Sequence, residues 1–166
     1  MDSDELAHEV FRKENRIYRK IRPLFPEVLG DPTRAQVAKI VFRDPVRRRA
    51  LESMIHPYVF KRIREELARM RGEIAVAEVP LLFETGFDKC CDATVVVRAA
   101  REKVLARLAA KGFRQPEVES RWRAQWPIRE KRKRADYCVD NSDGRKRTEE
   151  QVKKIWSEIN RRKGAY

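Results

Sequence analysis

Long apolar runs and targeting signals are missing from this sequence, and each absence argues against one class of protein. The 166-residue chain has no apolar stretch near the roughly 20 residues that a membrane-spanning helix needs. Its first residues lack the basic segment, apolar segment and cleavage site that direct secretion. We therefore expect a cytoplasmic protein with no membrane partner.

Cysteine and glycine are both scarce. The 3 cysteines are the adjacent Cys90 and Cys91 and the isolated Cys138, a spacing that suits neither a disulfide framework nor a CxxC metal motif. We expect reduced thiols and no metal site. The 6 glycines are scattered, and none opens the G-x-x-x-x-G-K-[ST] loop that cradles phosphates in many nucleotide-binding proteins.

Charged residues, by contrast, are abundant. They make up 39% of the chain, and 39 Lys and Arg against 26 Asp and Glu give a net charge of +13. Such a surface attracts nucleic acid, anionic membranes or phosphorylated small molecules. Between Arg121 and Arg147 ten basic residues stand against four acidic ones. A solvated helix face is the alternative explanation for this cluster.

Alternating strands and helices predict an α/β fold with a parallel sheet covered by helices. Short Val-rich segments predict strands at residues 73–80, 92–97 and 135–141. Helices are expected over residues 98–108 and 117–125. With 42% hydrophobic residues, the chain is long enough to bury a core as one domain.

Proline and polar residues predict where several helices begin and end. Asp31 with Pro32, and Asp44 with Pro45, each combine an N-cap residue with a proline at the first helical position. The helix that starts at Pro45 is expected to end before Pro57, and a longer helix to follow it.

The last helix carries the clearest signal. Thr148 and Gln151 have the spacing of a capping box, and the apolar face would hold Val152, Ile155, Trp156 and Ile159. Trp122 and Trp126 lie four residues apart, as do the core-facing residues of one helix.

Three local groups contain residue types that serve in catalytic sites. Asp2 and Asp4 precede a helix, and on an extended segment both carboxylates would face one site, fit for Mg²⁺ or for accepting a proton from a hydroxyl. The alternative is that this segment merely starts the helix. The lone His56 is either catalytic or a structural hydrogen bonder, and Asn141 either reads a base edge or caps a turn.

An acidic residue follows the most apolar run of the chain, AEVPLLFETGF (77–87). In parallel sheets, ligands bind outside the carboxyl ends of the strands. We therefore expect Glu84 at the rim of a ligand crevice. The alternative is a buried strand that leaves the core at a turn.

Taken in order, these segments resemble the dephospho-CoA kinase family. They are D-x-D-x-x-A (2–7), R…IVFRDPVRRRALESMIHP (34–57), VPLLFETG (79–86) and R…AQWPIREKRKRADYCVDNSDG (121–144). The resemblance implies a P-loop-kinase-like parallel sheet flanked by helices. It also implies transfer of the ATP γ-phosphate, with Mg²⁺, to the ribose 3′-hydroxyl of dephospho-CoA, the last step of coenzyme A synthesis.

The resemblance further implies an internal organisation and residue roles. Residues 5–72 would form a helical acceptor-side region, 73–98 and 135–166 the core, and 99–134 the lid. Asp4 matches the family's candidate general base and Asp2 its acidic neighbour, while His56 matches a histidine on the acceptor side. The segment that matches the lining of the acceptor pocket consists of Pro80, Leu81, Leu82, Phe83 and Glu84.

Basic residues in and beside the lid match positions that neutralise phosphate charge, as phosphoryl transfer requires. They are Arg107, Lys111 and Arg121 as ATP-binding residues, and Arg129 as a catalytic residue. Asn141 matches the family's asparagine near the ATP base.

The sequence also departs from the family. The strand, P-loop and helix that precede the D-x-D segment are absent, so we expect a truncated chain without useful kinase activity and with uncovered sheet edges. Two alternatives stay open. One is a non-catalytic remnant that binds CoA or nucleotides. The other, less favoured, is a basic nucleic-acid-binding protein in which Trp122 and Trp126 stack on bases.

Overall fold

The computed structural model describes residues 1–70 and 74–163 of the chain. Contacts within this part group into two compact units, Met1–Pro80 and Leu81–Tyr166. The predicted boundary between acceptor-side region and core, at residues 72 and 73, lies outside the described residues. The first unit contains α1 (Ser3–Glu9), α2 (Arg16–Ile21), a 3₁₀ turn (Arg22–Leu24), α3 (Arg34–Arg43) and α4 (Pro45–Arg69).

The core of the first unit forms where α1, α2 and α3 pack along α4. Val10, Ile21 and Phe25 have no exposed surface, and Val37 and Leu51 extend the same cluster. Helices as short as α1 and α2 are not stable alone in water. Burial of this shared apolar surface, worth about 25 cal/mol per Å², therefore holds them in place.

The start of α3 differs from the prediction. Thr33 is the N-cap: its hydroxyl accepts from the Gln36 amide (3.3 Å), and the Gln36 side chain accepts from the Thr33 amide (2.9 Å). The prediction that Asp31 and Pro32 begin this helix is therefore wrong. The capping box satisfies two amides at once, whereas Asp31 pairs with Lys13 (2.5 Å).

The start of α4 is confirmed, but its predicted end is wrong. Asp44 caps the helix by accepting from the amides of Val46 and Arg47, both at 3.0 Å. The helix then runs through Pro57 without a break to Arg69. Buried residues on both sides of the proline, Leu51, Val59 and Ile63, supply packing that outweighs the lost backbone hydrogen bond.

The predicted strand at 73–80 is wrong for the residues that the structure describes, and residue 73 lies outside them. Residues 74–80 form no regular strand, and a single parallel bridge joins Asp2 to Glu78. Around it the Met1 amino group donates to the Val76 carbonyl (2.8 Å). The Ser3 amide donates to the Glu78 carbonyl (3.1 Å). The segment thus aligns with the first residues of the chain.

The second unit is α/β and is built on a two-stranded parallel sheet. Strand β1 (Val95–Arg98) pairs with β2 (Tyr137–Asp140) in the register Val95↔Tyr137 to Arg98↔Asp140, so the parallel pairing predicted for these two segments is confirmed. Val96 and Val139 are buried, whereas Val95 and Val97 are 41% and 58% exposed. The helices are α5 (Arg101–Ala110), α6 (Gln115–Arg123), α7 (Ile128–Arg134) and α8 (Arg145–Lys163), and a 3₁₀ turn spans Phe87–Cys90.

A polar contact ties the two strands together where they begin. The Asp136 carboxylate accepts from the amide and the hydroxyl of Thr94, both at 2.8 Å, and the Asp136 amide donates back to that hydroxyl (3.1 Å). These donors stabilise the ionised form, so the pKa of Asp136 lies below its ordinary value.

The capping box predicted for the last helix is wrong, because α8 begins at Arg145 and Thr148 lies inside it. Gln151 instead binds the end of β2: its amide oxygen accepts from the Asp140 amide and its nitrogen donates to the Asp140 carbonyl, both at 2.9 Å. Of the predicted apolar face, Val152 and Trp156 are about half exposed (49% and 48%).

The prediction that Trp122 and Trp126 share the core-facing side of one helix is also wrong. Helix α6 ends at Arg123, and Trp126 lies in the connector that follows it, 37% exposed. None of the helices in the described ranges is long and apolar enough to cross a membrane.

Candidate functional site

Asp2 and Asp4 are in direct contact at the start of α1. Asp2 is the extended N-cap residue, and its Oδ1 accepts from the Asp4 amide at 2.8 Å. Because Asp4 is already helical, the expected alternation of both carboxylates along one extended strand is wrong. The arrangement leaves the Asp4 carboxylate exposed in the first turn of the helix.

His56 lies in the middle of α4 and is half-buried. Its ring stacks on Phe60, with centroids 5.9 Å apart and planes inclined by 22°. Burial lowers the pKa of His56, although Glu52 opposes this effect. The imidazole therefore favours its neutral form near pH 7, in which one nitrogen donates and the other accepts.

Helix α1, which carries Asp4, and helix α4, which carries His56, pack against each other. The Tyr58 hydroxyl donates to the Glu9 carboxylate (2.9 Å), and the Arg62 guanidinium lies 3.4 Å from the same oxygen. The first unit therefore brings two of the predicted site helices together.

The predicted acceptor-pocket segment forms a turn after Pro80, the last residue of the first unit. The Thr85 hydroxyl and amide donate to the Leu81 carbonyl at 2.7 and 3.1 Å, and the Phe87 amide donates to the Leu82 carbonyl at 3.1 Å. Gly86 closes the turn with a φ of 72°, where a side chain would be strained. Phe83 is buried, with 5% of its surface exposed.

Glu84 is directed into the second unit, and its side chain is only 13% exposed. Its Oε1 lies 2.9 Å from Nζ of Lys131, which is itself 9% exposed in its side chain. The same oxygen accepts from the Trp126 amide at 2.7 Å, and Nζ donates to the Gln125 side chain at 2.9 Å. An acidic residue can follow the apolar run because its counter-charge is buried beside it.

The predicted phosphate-neutralising residues lie on or next to α5, α6 and α7. Arg107, Lys111, Arg121 and Arg129 are all exposed, and none pairs with a carboxylate in the described ranges. The Arg121 guanidinium stacks 5.1 Å from the centroid of the Phe113 ring. Gly112, with a φ of 82°, makes the turn between α5 and α6 that brings this pair together.

Asn141 follows β2 and extends its pairing, since its amide donates to the Arg98 carbonyl at 2.7 Å. Its side-chain oxygen accepts from the Thr148 hydroxyl at 3.2 Å. Beside it, the Ser142 amide and hydroxyl donate to Asp140. Together with Arg98, they hold the pKa of Asp140 below its ordinary value.

Comparison with known proteins decides the family. The family model described as "Dephospho-CoA kinase" matches residues 1–147. A dephospho-CoA kinase from Aquifex aeolicus is 35% identical over 167 residues, which cover 97% of this chain and 85% of the relative. The chain belongs to the dephospho-CoA kinase family.

Solved structures agree with this assignment. A crystal structure of a Thermus thermophilus protein is 36% identical, with a TM-score of 0.80 over 96% of this chain and 83% of that one. A dephospho-CoA kinase from Campylobacter jejuni, 20% identical with a TM-score of 0.58 over the same shares, supports the fold alone. The expected P-loop-kinase-like α/β class is thus confirmed.

Within this dephospho-CoA kinase family member, the sequence did not reveal the partners of Glu84. Lys131 stands in a run of basic residues and looks like surface charge, yet it is 7% exposed. No local signal separates it from Arg132 or Lys133.

Proposed function

We propose that this chain provides the acceptor side and the lid of an enzyme that transfers the ATP γ-phosphate to the ribose 3′-hydroxyl of dephospho-CoA. The observation that carries the proposal is the family match over residues 1–147. The three cysteines, Cys90, Cys91 and Cys138, are free thiols, in keeping with a cytoplasmic location.

Asp4 is the proposed general base. Its carboxylate is exposed, and its backbone is held at the helix start by the Asp2 cap (2.8 Å). A carboxylate in this position can accept the proton of the 3′-hydroxyl as the oxygen attacks the γ-phosphorus, and the bond from phosphorus to the departing ADP oxygen breaks.

The acceptor would be bound by His56 and by the segment from Pro80 to Glu84. Burial, which lowers the pKa of His56, keeps the imidazole available as a neutral donor and acceptor for the acceptor's polar groups. Leu81 and Leu82 supply partly exposed apolar surface, whereas Phe83 lies buried beneath them in the segment. The Glu84 carboxylate has Lys131 as its partner.

ATP would meet the exposed cations Arg107, Lys111, Arg121 and Arg129, whose charges oppose those on the transferring phosphoryl group. Stacking on Phe113 (5.1 Å) restricts the Arg121 side chain before any ligand arrives, so less conformational entropy is lost on binding. Asn141 would contact the base through its side-chain nitrogen, because Thr148 engages its oxygen.

The described residues contain no group of three or more His, Cys, Asp or Glu that could hold a metal ion. Mg²⁺ would enter with ATP, since this ion is usually bound by one or two carboxylates together with phosphates and water. Asp2 is the candidate carboxylate, because Asp4 is assigned to the base role. The ion would supply charge neutralisation at the β- and γ-phosphates.

These 166 residues carry no G-x-x-x-x-G-K motif, and scattered cations cannot replace a ring of oriented backbone amides around the phosphates. We therefore expect the 166-residue chain to bind dephospho-CoA but not to turn it over unless such a loop is supplied. Binding without catalysis is the second candidate function, because Asp4, His56 and the segment 80–84 are all present in this chain.

A coupled assay for ATP-dependent phosphorylation of dephospho-CoA tests the proposal. It is run on the 166-residue chain and on a version extended upstream by a strand, a G-x-x-x-x-G-K-[ST] loop and a helix. Turnover only in the extended version is expected. Turnover in the shorter chain would refute the need for the loop, and no turnover in either folded protein would refute the kinase function.

Asp4→Asn in the extended version tests the base. We expect a strong loss of kcat with dephospho-CoA binding largely retained, because the amide keeps the size of the side chain but cannot take the proton. Unchanged turnover would remove Asp4 from this role.

A further inference from the structure

We propose that Glu84 and Lys131 form a buried clamp that positions the start of α7, and through it the outward direction of Arg129. The part that concerns Arg129 rests on the proposed function. Lys131 is thus a positioning residue, and it acts through the backbone that it holds.

Helix α7 cannot fix its own start. It has seven residues, its N-cap position is Pro127, and no side chain caps it. Such a short helix is marginal without outside support. Glu84 supplies such support, because its Oε1 accepts from the Trp126 amide at 2.7 Å, one residue before the N-cap position.

Lys131 supplies the second point of attachment. Its Nζ lies 2.9 Å from the same Glu84 oxygen, and it also donates to the Gln125 side chain at 2.9 Å. One carboxylate oxygen therefore holds the connector before α7 and a residue inside α7. Two attachments five residues apart along the chain fix both the position of the helix and its rotation about its own axis.

The rotation determines where Arg129 points. Residues two apart on a helix lie about 200° from each other around the axis. Because Lys131 is directed inward and is 7% exposed, Arg129 is directed outward and is exposed. A rotation that released Lys131 would turn Arg129 away from this direction.

Charge makes the clamp specific. Glu84 Oε2 is buried and has no hydrogen-bond partner within the described part of the chain, so the carboxylate depends on Lys131 to offset its charge. An apolar pair of similar size could be equally stable but would not bind the Trp126 amide. Loss of Lys131 alone should therefore lower the free energy of unfolding more than loss of both charges.

The test uses Lys131→Met, Glu84→Gln and the double variant, with Lys133→Met as matched control. Lys133 lies on the same helix, is 58% exposed and pairs with Glu130 at 3.1 Å. Exchange of the Trp126 amide with solvent, measured by NMR on the 166-residue chain, should accelerate about tenfold or more in Lys131→Met and Glu84→Gln. It should stay unchanged in Lys133→Met.

Turnover of the loop-extended version is the second readout, at a temperature where every variant is folded. Lys131→Met should lower kcat, and Lys131→Arg should restore most of the loss. Unchanged exchange in Lys131→Met would overturn the clamp, and faster exchange with unchanged kcat would overturn the positioning of Arg129. If the parent enzyme shows no turnover, the proposed function fails together with the role of Arg129, while the exchange data still decide the clamp.

Discussion

Replacement of Pro57 by alanine should stabilise the first unit. Pro57 is the thirteenth of the 25 residues of α4, so it has no amide to donate to the carbonyl of Ser53, and its ring crowds that carbonyl. In a helix interior, proline is about 3 kcal/mol less favourable than alanine.

The expected gain is therefore up to about 3 kcal/mol in the free energy of unfolding, equivalent to a rise in Tm of roughly 15 °C for a unit of this size. Urea unfolding followed by far-ultraviolet circular dichroism measures it. Pro45→Ala is the matched control, because a proline at the first position of the same helix loses no hydrogen bond. That variant should change stability by less than about 0.5 kcal/mol.

If Pro57→Ala leaves the free energy of unfolding unchanged or lowers it, the reasoning is wrong, because the proline ring would then not destabilise the helix at residue 57. The same variant examines function, because His56 is the neighbour of Pro57. If the proline shapes the helix around His56, stabilisation should come with a higher KM for dephospho-CoA in the loop-extended version.

Three further predictions concern titration and capping. Because burial lowers the pKa of His56 below the unfolded value of about 6.5, the unfolded chain takes up the proton first. Stability should therefore fall as the pH drops below about 6.5, and His56→Gln should flatten this dependence in pH-resolved urea titrations; an equal slope in the variant would contradict it. Asp136→Asn should cost about 1 kcal/mol at neutral pH, a value discounted for solvent exposure of the carboxylate. The lowered pKa of Asp136 means that this difference should disappear in acid, where the wild-type carboxylate is also protonated, and a difference that persists there would argue against the contact with Thr94. Asp2→Ala should cost about 1 kcal/mol through loss of the cap, and Asp2→Asn only a few tenths; equal losses in urea unfolding would show that charge matters and not capping.

Local signals predicted the elements whose determinants are local. Asp44 and Pro45 begin α4 because the cap and the fixed proline φ act within one turn. The two strands around Val96 and Val139 follow from Val-rich segments between polar ones, and their parallel pairing follows from the helices between them.

The errors occur where packing or a distant partner decides. Pro57 does not end α4, because Leu51, Val59 and Ile63 are buried on both sides of it. Gln151 is free to bind Asp140 because α8 begins before Thr148. Neither outcome is encoded within one turn of the residue concerned.

The candidate site divides in the same way. Asp2, Asp4 and His56 were identified from short motifs and the family resemblance. The partner of Glu84 was not, because Lys131 lies 47 residues further along the chain and shares its composition with exposed neighbours. Burial, which distinguishes it, is a property of the folded unit.

The most direct test of the proposed chemistry is phosphorus NMR of the product formed from ATP and dephospho-CoA by the loop-extended version. The account predicts a phosphomonoester on the ribose 3′-oxygen, formed in step with ADP and lost in Asp4→Asn. Release of inorganic phosphate without a new ester, or an ester at a different hydroxyl, would contradict it.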